Sequence, residues 1–400
     1  MAGTTRRKPG WMGPYIEGLR GWLLERGYTP GGIKHVLTLA GQLGRWMESE
    51  DVKFSQLDSA TAESFLGALR ARGVRRVPGR RGLRPLLDYL DSEGAVAVEP
   101  VPDSLVEQLV AEYRTWLVVD RGLAAATVLR YEKLARRFLG QQPAAEGDRV
   151  VADLTAADVV GFLLREGERV SVGAVKGRVT ELRSLLRFLH LKGFTSTALG
   201  AAVPPVAGWH DTGIPVGLSA AEVQRLLDGC DRSSRTGIRD FAILMLVARL
   251  GLRSAEVAGL ELGGLDWRAG EIAVAGKARR RDRLPLPHEV GQALAAYLRE
   301  VRPVTPTRAV FLTLKAPIRP IRPDLVSDIT RRACQRTGLP EVGAHRLRHA
   351  LATEMLRRGA KLVEISQVLR HRDLATTAVY AKVDFEALRC IALPWPGGQR

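Results

Sequence analysis

The sequence predicts a mainly α-helical protein with one small β-sheet: helical N-terminal domains followed by a mixed α/β C-terminal domain. Three observations predict it. Apolar residues recur at i, i+3 and i+4 through the first half, with no convincing strand. A stretch rich in Pro, Gly and Ala (GAAVPPVAGWHDTGIPVG, residues 200–217) then interrupts the pattern. Beyond it, the segment EIAVAGKARRRDRLPLP reads as two short strands joined by a basic turn. At 400 residues the chain is too long for one ordinary core, so two or three domains are expected.

The first half contains an internal repeat. Around Trp22 the chain reads LRGWLLERGYTPGGIKHVLTLAGQLGRWM, and around Trp116 it reads YRTWLVVDRGLAAATVLRYEKLARRFL. Each copy carries a Trp, then Arg-Gly, then a small-residue turn opening an apolar-periodic helix. LDSATAESFLGAL then matches LTAADVVGFLLRE, and RPLLDYLDSEG matches RSLLRFLHLKG. Matching order and spacing across three segments favour duplication over chance similarity of amphipathic helices. Each copy is expected to be a bundle of four or five helices. The expected divisions are a helical domain at 1–100, a second at 101–200, a linker at 201–217, a third domain at 218–385 and a tail at 386–400.

After the linker, Ser219 and Glu222 form an S-x-x-E capping box ahead of a helix. The apolar run IRDFAILMLVARL stops at Gly251, a natural C′ glycine. From Pro287 onward the chain reads as helices broken at Pro303, Pro320, Gly338 and Gly359.

The charge narrows the function. Sixty Lys and Arg against 43 Asp and Glu give +17, which suits a partner with a dense negative backbone, because each neutralised phosphate releases a counterion. Arg75, Arg76, Arg80, Arg81 and Arg84 form one basic stretch; Arg279, Arg280, Arg281 and Arg283 form another. An anionic membrane is the competing partner. No apolar run approaches the roughly 18 residues that span a bilayer, and the N-terminus lacks a signal peptide's apolar core. A soluble, cytoplasmic protein is expected, associated with the bacterial nucleoid. Cys230, Cys334 and Cys390 show no metal-ligand spacing and are expected to be reduced thiols.

Four pieces of the last third stand out together: GLRSAEV with Arg253, GKARRRDRLPLP with Lys277, HRLRHALAT with His345 and Arg348, and LRHRDLATTAVY with His371 and Tyr380. Over residues 215–385 this ordered set closely resembles the tyrosine recombinase, or phage integrase, family. The family pattern is an arginine after Gly-Leu, a hairpin lysine, H-x-x-R, then L-G-H with a tyrosine nine residues later. Each motif alone is weak; six positions in order are specific. One departure is plain: Leu369-Arg370-His371 puts an arginine where the family has glycine. That change is expected to alter the approach to DNA or to add a backbone contact.

These residue types can perform phosphoryl transfer without a metal or nucleotide. Tyr380 can supply the nucleophilic oxygen, and with a phenol pKa of about 10 it needs help from neighbours. Arg253 and Arg348 can offer planar donor forks to phosphate oxygens. Such preorganised charge is often the largest catalytic contribution. His345 lies three residues before Arg348, so one helix would present both on the same side, His345 for proton transfer or for orienting the phosphate. Glu256, one turn after Arg253, would fix that region. His349 directly follows Arg348 and is left outside the catalytic set.

The resemblance implies the remaining roles. Lys277 would be the general acid for the leaving 5′ oxygen, and His371 would hydrogen-bond the scissile phosphate. SAM-like core-binding domains and the catalytic domain would close around double-stranded DNA at a specific target site. The apolar tail (Leu388, Ile391, Leu393, Trp395) would dock on a neighbouring protomer of a tetramer. Accessory recombinases or DNA-bending proteins are conceivable partners, and no cofactor, metal or membrane is expected. The implied role is integration or transposition of a mobile element. The competing readings are a type IB topoisomerase, a DNA-binding regulator with a disabled site, and a metal hydrolase using His345, His349 and His371. The last lacks the glutamate of H-E-x-x-H.

Overall fold

The computed structural model describes residues 9–57, 59–74, 77–95, 104–141, 151–205, 218–276, 281–370 and residue 377. The chain divides into two compact units, one of residues 1–50 with 211–400 and the other of residues 51–210. The described residues are mostly helical with a single three-stranded antiparallel sheet, as the sequence predicts. No helix among them is long and apolar enough to cross a membrane.

The first unit begins with a 3-10 turn and two helices, α1 (Ile16–Glu25) and α2 (Pro30–Ser49). Thr29 caps α2 by accepting from the Gly32 amide at 3.2 Å, and Pro30 occupies the first turn, where no N–H is needed. The 3-10 turn lies so close to α2 that a Cβ on Gly44 would meet the Pro9 carbonyl at 2.2 Å. Where α1 ends, the Ile318 amide donates to the Arg26 carbonyl at 2.9 Å. This N-terminal segment therefore packs against the C-terminal part of its own unit.

The second unit holds α3 (Ser59–Ala71), α4 (Arg80–Ser92), α5 (Leu105–Val119), α6 (Ala125–Leu139), α7 (Ala156–Arg169) and α8 (Val172–Leu191). Helices α5–α8 enclose an aromatic-rich core in which Tyr113, Phe138, Phe162 and Phe188 are fully buried. Three carboxylates sink into the same bundle, and arginines surround each. Glu132 meets Arg114 and Arg136, Glu166 meets Arg137 at 2.8 Å with Arg169 and Arg178, and Glu181 meets Arg130 at 2.6 Å and Arg178 at 2.8 Å. Six of the unit's arginines are thus turned toward its own buried carboxylates.

The first unit resumes with α9 (Ala220–Asp228), α10 (Arg235–Leu250) and α11 (Ser254–Ala258). The capping box holds: Glu222 accepts from the Ser219 amide at 2.8 Å, and Ser219 Oγ accepts from the Glu222 amide at 3.2 Å. Helix α10 is buried on nearly every side and is the spine of the core. It ends at Gly251, whose φ of +59° is the left-handed cap expected of it.

The sheet has strand order β1 (Leu265–Asp266), β2 (Glu271–Ala275), β3 (Arg281–Pro285). The hairpin of β2 and β3 pairs Ile272 with Leu284 and Val274 with Asp282. The two-residue β1 was not expected. Helices α12 (His288–Ala296), α13 (Pro323–Arg336), α14 (Ala344–Arg357) and α15 (Leu362–Leu369) complete the unit.

One expectation fails. Residues 303–320 are not helices separated by prolines but irregular chain with two isolated bridges, Glu261 to Ala309 and Leu312 to Pro320. Pro303, Pro306, Pro317 and Pro320 remove the amides a helix would need. Arg302 organises the loop instead, donating to the carbonyls of Thr307 at 2.7 Å and Ala309 at 2.9 Å.

Candidate active site

Four helix ends converge in the C-terminal unit: the end of α10, the start of α11, the first turns of α14 and the end of α15. Arg348 holds them together. Its guanidinium is buried, and its two terminal nitrogens donate to the carbonyls of Gly251 and Leu369. One α14 side chain thereby fixes the chain just before Arg253 and the chain at the end of α15.

Arg253 stands at the mouth of α11. Its amide donates to Glu256 Oε2 at 2.9 Å and its Nη1 to Glu256 Oε1 at 2.6 Å. Nη2 donates to the Arg370 carbonyl at 3.2 Å, and the side chain is 43% exposed. The guanidinium is therefore oriented from behind and open in front. Burial alone would raise the Glu256 carboxyl. The Arg253 amide, the charge of Arg370 and the Arg253 side chain outweigh it and hold Glu256 below its ordinary value.

His345 lies one turn before Arg348 on α14, on the same side, as the spacing predicts. Partial desolvation of this largely exposed ring lowers its pKa below the ordinary 6.5, and the charges of Arg348, Arg253 and Arg346 lower it further. A neutral imidazole is therefore favoured at neutral pH, able to accept a proton or donate a hydrogen bond. Its neighbour is His349, with Nε2 to Nε2 at 2.9 Å and the rings edge to face at 4.3 Å. The sequence reading kept His349 outside the catalytic set, and the i, i+4 spacing that puts both imidazoles on one helix face was weighed there only for a metal hydrolase.

Arg370 also does something the sequence did not indicate. It adopts φ +53°, left-handed backbone at the C-cap of α15, which explains why glycine suits this position in L-G-H. The side chain turns inward to Glu256 at 2.6 Å and is only 7% exposed. Its side chain thus faces protein interior and bonds the Val368 carbonyl at 3.0 Å.

The structure thus brings Arg253, His345, Arg348 and Glu256 together. Lys277, His371 and Tyr380 lie outside the described residues, as do the tail and Cys390. Cys230 and Cys334 are buried free thiols. Among the described residues no three His, Cys, Asp or Glu groups are placed to share a metal ion.

Comparison with known proteins gives the family of the chain. Residues 217–387 match the model of the phage integrase family. A putative integrase/recombinase of Sinorhizobium fredii, y4rA, is 41% identical, with 96% of this chain and 94% of the relative covered. The chain belongs to the tyrosine recombinases of the phage integrase family.

Another relative is the tyrosine recombinase XerD of Listeria monocytogenes, 29% identical over 70% of this chain and 95% of that one. Among solved structures, the XerH recombinase bound to difH DNA superposes with a TM-score of 0.55 at 18% identity, covering 71% of this chain and 83% of that one. The Tn1549 transposon integrase in complex with circular-intermediate DNA gives 0.52 at 17% identity, covering 70% and 99%. These structures show the shared fold of catalytic and core-binding domains. The recombinase is an enzyme of site-specific DNA recombination, and these relatives favour that reading over a topoisomerase or an inactive regulator.

Proposed function

We propose that this recombinase joins two double-stranded DNA sites by conservative strand exchange, with Tyr380 as the nucleophile and no metal or nucleotide cofactor. The observation that carries the reading is the convergence of Arg253, Arg348 and His345 at four helix ends, in a chain whose sequence supplies Lys277, His371 and Tyr380 in the family's order. The Tyr380 oxygen attacks the scissile phosphorus as the bond to the 5′ oxygen breaks. Lys277 protonates that oxygen, leaving a free 5′ hydroxyl and a 3′-phosphotyrosine. A 5′ hydroxyl from the partner site then reverses the step, so bond energy is conserved. Arg253 presents its open side to the phosphate and Arg348 sets the positive field behind it. Neutral His345 accepts a proton or orients the phosphate, and His371 donates to it.

Four protomers would carry out paired cuts through a four-way junction. Residues 101–200 and 218–385 would clamp the duplex, and the tail at 386–400 would dock in trans. Residues 1–100, with helices α1–α4 in the order of α5–α8, would contact further DNA or a partner protomer. The setting would be bacterial cytoplasm and nucleoid, and the role the movement of a mobile element, with accessory recombinases or DNA-bending proteins as helpers.

The test is covalent capture. Wild-type protein is incubated with a pool of nicked duplexes carrying a randomised centre, and complexes stable in denaturant are collected. The captured sequence then serves as a defined suicide substrate. Wild type is expected to form the adduct and Tyr380→Phe none; an adduct persisting in that variant overturns the assignment.

A further inference from the structure

Arg370 is an expensive residue where it stands. It holds a non-glycine backbone at φ +53°. Its Nη1 bonds the Val368 carbonyl at 3.0 Å and its Nη2 bonds Glu256 at 2.6 Å, but its buried Nε has no hydrogen-bond partner. Strained backbone and an unmatched buried donor persist where something else is gained. The hydrogen bonds alone do not explain it, because a glycine there would relieve the strain and Arg253 would still hold Glu256 twice.

Charge explains it. Glu256 is buried, 3% exposed, and lies 2.6 Å from both Arg253 and Arg370. With Arg253 as its sole partner, the carboxylate would cancel the charge that Arg253 offers to a phosphate. With Arg370 present, the three groups sum to one positive charge, and that charge faces outward on the open side of Arg253. Arg370 itself is too enclosed to meet DNA through its side chain. We propose that Arg370 is a positioning residue that neutralises Glu256 from within, so that Glu256 can orient Arg253 without discharging it. The proposal rests on the reading of Arg253 as a phosphate-binding group.

The test is a charge-exchange cycle on the captured suicide duplex, with single-turnover adduct formation and equilibrium DNA binding measured separately. Arg370→Gly takes the cluster to zero charge on a backbone that suits glycine, so the fold is expected to survive, checked by thermal melting. Its cleavage rate is expected to fall about tenfold or more, with DNA affinity within about twofold of wild type. Adding Glu256→Gln restores the single positive charge, and the double variant is expected to recover to within about threefold of the wild-type rate. A double variant as slow as Arg370→Gly, or slower, overturns the proposal, because a purely structural role would make the two losses accumulate. So does an Arg370→Gly enzyme that cleaves at the wild-type rate. Failure of wild type itself to form an adduct would instead overturn the proposed function.

Discussion

His345 and His349 share one short contact, and neither Nε2 can accept if both rings are fully protonated. The surrounding protein and three nearby arginines already disfavour charge on His345. Its folded pKa lies below the unfolded value near 6.5, so the unfolded chain takes up the proton first as pH falls. Stability from this group is full above about pH 6.5, declines as the pH drops below it, and levels off below the folded value. Glu256 has the usual carboxylate sign: its contribution is present above the unfolded pKa and lost as pH falls through the depressed folded one. We expect the His345 ring protons to titrate in NMR with a midpoint below 6.5 in free protein, and to rise toward it in His345-containing peptides. A midpoint above 6.5 in the folded chain would contradict the packing and charge argument. At this scale the sequence was informative about identity and poor about partnership. H-x-x-R gave the shared side of His345 and Arg348. Nothing in it revealed that the Arg348 donors bond the carbonyls of Gly251 and Leu369, because those partners are 97 and 21 residues away.

Among elements, helices α6, α7 and α8 show what the basic composition is partly for. Each carries one buried glutamate ringed by arginines that remain partly solvated, such as Arg137 at 33% exposed against Glu166 at 2%. A buried carboxylate with good partners is costly to disturb, while arginines left behind can rehydrate. Glu166→Gln is therefore expected to lose about 2 kcal/mol, which for a domain of this size lowers Tm by roughly 5 °C. Urea or thermal unfolding of the full chain reads this, and an unchanged unfolding transition would show the cluster to be inert. Sequence periodicity found the helices and could not find these pairs, since an arginine turned toward DNA and one turned toward a glutamate are spelled alike. The Ser219 and Glu222 cap and the Gly251 stop were legible because local geometry decides them. Residues 303–320 were misread because proline marks where a helix stops and leaves open whether another one begins. β1 was missed because two residues leave no period to detect.

Over the whole molecule, the internal repeat and the compact units divide the first hundred residues differently. The repeat joins α1–α4 as one copy, whereas α1 and α2 pack with the C-terminal residues and α3 and α4 belong to the second unit. Likeness of sequence between segments and the packing of their apolar faces are separate properties, and here they divide the chain at different points. Gly27 shows the closeness, since a Cβ there would meet Ile318 Cγ1 at 2.5 Å. Removing residues 1–50 is accordingly expected to lower the melting temperature of the catalytic unit by several degrees, on the order of 1–2 kcal/mol. Calorimetry of the truncated chain checks it, and an unchanged transition for that unit would mean the contact is incidental.

The anchoring by Arg348 also sets how accurately distant parts of the chain are placed. A guanidinium is rigid and planar, so two carbonyls bonded to it are spaced by covalent geometry and not by the slack of the intervening chain. Arg253 follows one of those carbonyls by two residues, and Arg370 follows the other by one. Positional error between the two strands of backbone is thereby reduced to that of a single side chain. The sheet and the proline-rich loop that lie between them in sequence can vary without blurring the distance, so long as α14 keeps Arg348 in place.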